Sequence, residues 1–371
     1  MPINDGLANL SHYSFVATVV AYALAVLAFA CDFAFGRDAL GTLRPAREPA
    51  ADLVSVGAAP GSRDAAPGSP GSAPGSPGSA PGSPGAGPGS PGAGTSAPGS
   101  APAGTPAGPG AGRDAGGMGR WVRVGIGLTA VGLVAHIIGV VSRGLAVHRV
   151  PWGDMYEFVT TVTCVAVIFF FVLMLRYRAY RLGLFVIGPV VILLGLAETV
   201  IYTPAGQLPP ALQSYWLAIH VTSITLATGA FVVAALLAVV YLLADRHARR
   251  AAAGQPTRAE AIFRILPAPK VIDQLAYRTV VFGFPLWTFG IIAGAIWADM
   301  AWGRYWGWDP TETWAFITWV VYAGYLHARA TAGWRGRKSA YIQLIGFGCL
   351  LFNTVVVSIL ITGLHSYAGL S

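Results

Sequence analysis

Runs of about 20 apolar residues, nearly free of charge, recur along this chain and limit what it can fold into. At 1.5 Å per residue, such a run crosses ~30 Å of hydrocarbon as a helix. Lipid offers no hydrogen-bond partners, so the crossing backbone must satisfy itself, and a helix does this span by span. Charged residues make up 11% of the chain and hydrophobic ones 54%. A water-soluble domain carries about twice that charge. The sequence predicts an all-α, polytopic integral membrane bundle of about eight transmembrane helices. The spans fall at residues 13–35, 121–141, 157–175, 182–202, 216–243, 279–298, 312–328 and 341–363.

Charge placement orients these spans. Of the 24 Lys and Arg residues, only Arg143, Arg149 and Arg304 fall in one set of alternate gaps; all others fall in the opposite set. The positive-inside rule then places both termini outside. It also accounts for the formal charge of +8 without nucleic acid as a partner. The chain divides into a first span (1–36), a linker (37–119) and a seven-span core (120–371). Residues from about 50 to 118 are Pro, Gly, Ser and Ala with APGSPGS-type repeats. They cannot bury a core and are expected to form a disordered cytoplasmic tether. The amino terminus lacks a basic n-region and a clear cleavage site, so its apolar run reads as a retained span. Cys31, Cys164 and Cys349 lie in apolar runs without a CxxC pair and read as small apolar packing residues. With no CxxCH, the chain is not itself a c-type cytochrome.

Between the sixth and seventh spans, residues 297–314 hold Trp297, Trp302, Trp306, Trp308 and Trp314 together with Tyr305, spaced by glycines. An interfacial aromatic belt places one or two aromatics per helix end. This density instead suits a flat ligand, with indole faces for stacking and glycines for close backbone approach. Asp309-Pro310-Thr311-Glu312 has the form of a helix start, with Asp309 as N-cap, Pro310 in the first turn and Glu312 closing a capping box. Arg304 can meet a carboxylate such as a porphyrin propionate, or pair with Asp299 or Asp309.

Depth sorts the histidines. His220 lies about one turn inside the outer end of the fifth span, and His365 directly follows the eighth. Both are level with the tryptophan loop, which suggests axial ligands to haem iron. His327 is 17 residues past Pro310 and so about 25 Å deeper, near the inner face. It either snorkels there or ligates haem at a second site. His136 and Glu198 read as intramembrane packing or hydrogen-bonding groups. His12, His148 and His247 read as loop residues. Pro151–Phe158 starts a span from outside and supports the outer site or caps that helix.

The run WGRYWGWDPTETW, followed by YLHAR at His327 and GLHSYAG at His365, resembles the haem-handling WWD-domain family. It is most similar to the CcsA/ResC-type members of the system II cytochrome c maturation pathway, labelled CcsB in some Gram-positive bacteria. SYWLAIHV around His220 and PWGDMYEF around Asp154 resemble the same family, over about residues 120–371. The resemblance implies a multi-pass plasma-membrane protein with the tryptophan loop outside. It implies a cytochrome c synthase (haem lyase) subunit, active with a ResB-type membrane partner, that carries haem b from an inner site to an outer one. There the haem is presented for thioether attachment to the CxxCH of apocytochrome c. On this reading His220, His365 and His327 ligate the iron. Trp302, Arg304, Tyr305, Trp306, Trp308 and Trp314 contact the haem, and His220, His365, Trp302, Trp306, Trp308 and Asp309 form the catalytic surface. The alternatives are a b-type haem electron carrier in a membrane oxidoreductase and a transporter of another planar anionic solute.

Overall fold

The computed structural model describes residues 3–35, 119–207, 214–255 and 260–365. The expected linker, 37–119, lies outside the described residues apart from Gly119. The described chain is helical, with no strand among the described residues. In order, the helices are α1 (Asp5–Phe35), α2 (Arg120–Ala146), α3 (Met155–Tyr177), α4 (Gly183–Thr199, entered through a 3-10 turn), α5 (Tyr215–Ala252), α6 (Glu260–Ile265), α7 (Pro269–Trp302), α8 (Pro310–Ala330) and α9 (Arg337–Leu351). A π-helical segment, Phe352–Val357, continues α9 into a last short turn, Ser358–Leu360.

All eight expected spans are helices, and seven are long and apolar enough to cross a membrane. The remaining one, α8, has 21 residues and is rich in Trp, Tyr and Thr. Several helices outrun the expected bounds: α1 starts at Asp5 rather than 13, α5 runs to Ala252 rather than 243, and α7 starts at Pro269 rather than 279. Hydropathy marks only the part of a helix that needs apolar cover, and helices continue past it into the interface. His12 and His247 are therefore not loop residues. His12 lies in α1, 3.6 Å from Glu198, and His247 lies in α5, stacked on Phe263. His148 follows α2 in a left-handed conformation, with φ 53°.

α1 docks on α2 through a repeat of seven. Gly125, Gly132 and Gly139 of α2 receive Phe29, Tyr22 and Phe15 of α1, each ring taking the space a Cβ would fill. Small residues let membrane helices approach closely, and here each lack of a side chain makes room for a ring. A Cβ on Gly132 would sit 2.5 Å from Tyr22 Cδ1. Gly132→Ala is accordingly expected to loosen the α1–α2 pair by about 1–3 kcal/mol, the usual scale of overpacking. A lower detergent melting temperature, with earlier proteolysis of α1, would register it.

α3, α4, α5 and α7 share the main core, which includes Phe170, Leu182, Ile187, Leu194, Val233, Leu237 and Ile272. A second cluster joins α5, α7, α8 and α9, where Phe231 stacks on Tyr322 at 4.0 Å and 10°. This cluster ties α8, and the loop ahead of it, to the long pair α5–α7. His136 is fully buried, with Nε2 2.9 Å from the Thr160 carbonyl and Nδ1 3.4 Å from the Tyr22 hydroxyl. Its polar atoms are spent on hydrogen bonds within the bundle. Cys164 is buried and Cys31 and Cys349 are partly so, all three as free thiols.

Candidate functional site

The loop between α7 and α8 is built around Glu312. Its carboxylate accepts from the backbone N–H of Gly307 at 2.8 Å and of Asp309 at 3.1 Å, and from Arg304 Nη1 at 3.4 Å. The capping box expected at Asp309 and Glu312 is present, with Pro310 opening α8. Arg304 pairs with neither Asp299 nor Asp309, the two acids its position in sequence offered; Glu312 takes it. The Arg304 guanidinium packs where a side chain at Gly307 would lie, and it sits 5.8 Å over the Trp302 ring. Trp308 adopts φ 57°, in the left-handed region, and is 65% exposed. That backbone turns its indole out to the loop surface.

Asp309 performs a second task that spans 56 residues. Its Oδ2 accepts from His365 Nδ1 at 2.8 Å, and its Oδ1 accepts from the Leu364 N–H at 2.8 Å. Burial pushes this carboxyl up, but the Leu364 and His365 hydrogen bonds outweigh it and hold Asp309 below the usual carboxylate range. The segment after α9 is thus clamped to the start of α8. Trp302 stands edge-on to His365 at 5.1 Å, and Trp297 lies 6.2 Å from it.

On the facing side, His220 of α5 points its Nδ1 at the Gly290 carbonyl of α7, 2.7 Å away. Gly294 makes that possible, because a Cβ there would lie 2.5 Å from His220 Nδ1. Gly294→Ala should push the imidazole off this carbonyl. Imidazole ring resonances register the move, and circular dichroism separates it from unfolding, since helix content should stay unchanged.

His220, His365, Gly294, Tyr305, Trp306 and Glu312 line one cleft. Both Nδ1 atoms face oxygen acceptors, so each carries the proton. That leaves each Nε2 lone pair without a hydrogen-bond partner among the described residues. A metal-binding imidazole is ordinarily held this way, with its other nitrogen donating to a carbonyl or carboxylate. No group of three or more His, Cys, Asp or Glu residues able to hold a bare metal occurs among the described residues. Two imidazoles instead suit a metal whose other ligands arrive with it, as a porphyrin's do. The cleft void is about 70 Å³, well short of the ~300–1,000 Å³ that encloses a drug-sized ligand.

The other expected site residues are spread differently. Trp306 and Trp308 meet edge-on at 5.7 Å, and both approach Phe316 of α8. Trp314 packs on Phe352 at 4.2 Å, beside the final helix rather than on the cleft. His327 lies in the last turn of α8, far from the cleft, with an exposed side chain. Glu312 as the loop's hub, Gly294 and the Asp309–His365 contact are the features that sequence reasoning missed. Only the capping box hinted at the first.

Helix number, apolar surface and a paired-imidazole cleft beneath an aromatic loop mark a polytopic membrane protein with its candidate site at one end. The chain belongs to the cytochrome c assembly protein family, whose model matches residues 152–365. The cytochrome c biogenesis protein CcsA of Guillardia theta is 34% identical over 265 residues, covering 67% of this chain and 86% of that one. CcsA of Mesostigma viride is 36% identical over 254 residues, covering 63% and 82%. Among solved structures, the cytochrome c haem lyase CcmF superposes with a TM-score of 0.50 at 17% identity. It covers 64% of this chain, which spans 41% of CcmF, and the likeness is one of fold.

Proposed function

We propose that this protein serves cytochrome c maturation by holding haem b between His220 and His365 and presenting it for attachment to apocytochrome c. The observation that carries this is the pair of imidazoles on one cleft, each with Nδ1 committed to an acceptor and Nε2 left over. Membership of the cytochrome c assembly family supports the same reading. Haem is the cargo here. The small void favours a plate lying across the open side of the cleft, with one edge outward, over a plate swallowed whole. Arg304, held to Glu312 at only 3.4 Å, is placed to meet a propionate. The buried Trp297 Nε1 has no acceptor among the described residues, and a propionate would supply one. Trp302, Tyr305, Trp306 and Trp308 offer the ring faces, whereas Trp314 supports the loop from behind.

Attachment adds each cysteine S–H across a haem vinyl C=C, forming a C–S bond with no leaving group and no net change of oxidation state. The protein's contribution is geometry: iron fixed by two imidazoles, and a porphyrin edge left open to the CxxCH. On this reading a ResB-type membrane partner completes the synthase in the plasma membrane, with the tryptophan loop and both termini on the extracytoplasmic side. His327 serves an inner haem site. Its exposure fits a second ligand supplied by that partner.

The test is co-expression of the chain with a ResB-type partner and an apocytochrome c, reading covalent haem by peroxidase stain. Wild type should yield stained cytochrome. Cys-dependent attachment that persists at wild-type level in His220→Ala and His365→Ala would defeat the proposal.

A further inference from the structure

At the end of the bundle opposite the tryptophan loop, α5, α7, α8 and the α8–α9 turn surround a cleft of about 660 Å³. Its acids are already taken. Asp273 accepts from both terminal nitrogens of Arg329, at 2.8 and 3.0 Å. Asp245 pairs with Arg249 at 3.0 Å and Arg337 at 4.0 Å. Lys270, Arg278 and Arg335 also line the cleft, are exposed, and have no carboxylate partner among the described residues. A roomy polar cleft with three cations lacking a carboxylate partner among the described residues calls for an anion.

The surroundings indicate which kind. Lys270, Gln274 and Arg278 are spaced four apart on the exposed face of α7. The same face continues as Val281, Phe282, Phe289 and Ile292, which are 43–54% exposed. One helix stripe therefore passes from cationic to apolar within a turn of Arg278, as at the boundary between lipid headgroups and acyl chains. The boundary extends across to α3, where Arg278 lies 5.1 Å over the Tyr177 ring and Phe282 lies 5.0 Å from Phe169. No His, Cys or Met lines the cleft, so it lacks the imidazole, thiolate and thioether ligands of haem iron.

The geometry points to a binding site for the headgroup phosphate of an anionic phospholipid, held by Lys270, Arg278 and Arg335, with the acyl chains along the α3–α7 groove. Basic pockets between membrane helices on the positive side recognise acidic headgroups in this way. The site is separate from the haem cleft and does not depend on the function proposed for it.

Native mass spectrometry of the full chain in mild detergent tests this, titrating phosphatidylglycerol against phosphatidylcholine of equal acyl length. Wild type should prefer phosphatidylglycerol by about tenfold or more, given the attraction each basic residue exerts. The triple variant Lys270→Gln, Arg278→Gln, Arg335→Gln should lose that preference. The charge-preserving Lys270→Arg, Arg278→Lys, Arg335→Lys should keep it. Millimolar inorganic phosphate should not displace the lipid. Equal binding of both lipids by wild type, an undiminished preference in the glutamine variant, or displacement by phosphate alone would each overturn the proposal. Should the glutamine variant fail to fold, photo-crosslinking of a phosphatidylglycerol probe to wild type decides. Labelling at residues 269–278 supports the site, and labelling only elsewhere refutes it.

Discussion

His220→Ala and His365→Ala should each abolish the six-coordinate haem spectrum of the purified protein, leaving five-coordinate haem or none. The reason is the count of ligands. Each ring brings one Nε2 to the cleft, its Nδ1 being held by Gly290 or Asp309. No third histidine lines the cleft to replace either. Truncating one ring removes a ligand and leaves the other side of the iron as it was, so the spectrum should change in kind rather than by degree. His327→Ala should leave this outer signal standing when haem is supplied from outside, because His327 lies about 25 Å along α8 from its start. Absorption spectra of the reduced and oxidised variants check all three expectations.

Asp309→Ala should cost nearly as much, though Asp309 itself does not line the cleft. It removes the N-cap of α8, worth about 0.5–2 kcal/mol. It also leaves His365 Nδ1 and the Leu364 N–H without their acceptor. The imidazole is then free to turn or change tautomer, and haem affinity should fall about 10- to 100-fold, as it does when the group behind a ligand is lost. Asp309→Asn should fall between, since one amide oxygen cannot serve all the donors the carboxylate serves. A merely structural role would lower the melting temperature without changing the ligand-field bands, so the spectrum distinguishes the two. The sign of the pH dependence follows from the same contacts. Asp309 is held below the usual carboxylate range, so its stabilising contribution is fully present above about pH 4. It is lost as pH falls through the lower folded value. Acid melts of wild type and Asp309→Asn should therefore converge at low pH and diverge above it.

The membrane architecture was legible because each apolar run must be a helix once it lies in lipid. The ends were not, since nothing apolar is required of α5 beyond 243 or of α7 before 279. The capping box at Asp309 and Glu312 was legible for the opposite reason, because its partners are local. Pairings across the fold left no such trace. Asp309 meets His365 across 56 residues, and His220 meets Gly290 across 70. Glu312, once assigned to the cap, gave no sign that it also holds Arg304. The α1–α2 contact did leave a trace, in glycines and aromatics both repeating every seven residues, and matching the two periods would have paired these helices.

The central claim is that His220 and His365 are the two axial ligands of one iron, and imidazole rescue tests it most directly. His220→Gly and His365→Gly are purified with haem, and their absorption and electron paramagnetic resonance spectra are recorded with and without free imidazole. The account predicts that each variant lacks the bis-imidazole low-spin signal and that added imidazole restores it in both. A low-spin bis-imidazole signal already present in either variant before imidazole is added would contradict it.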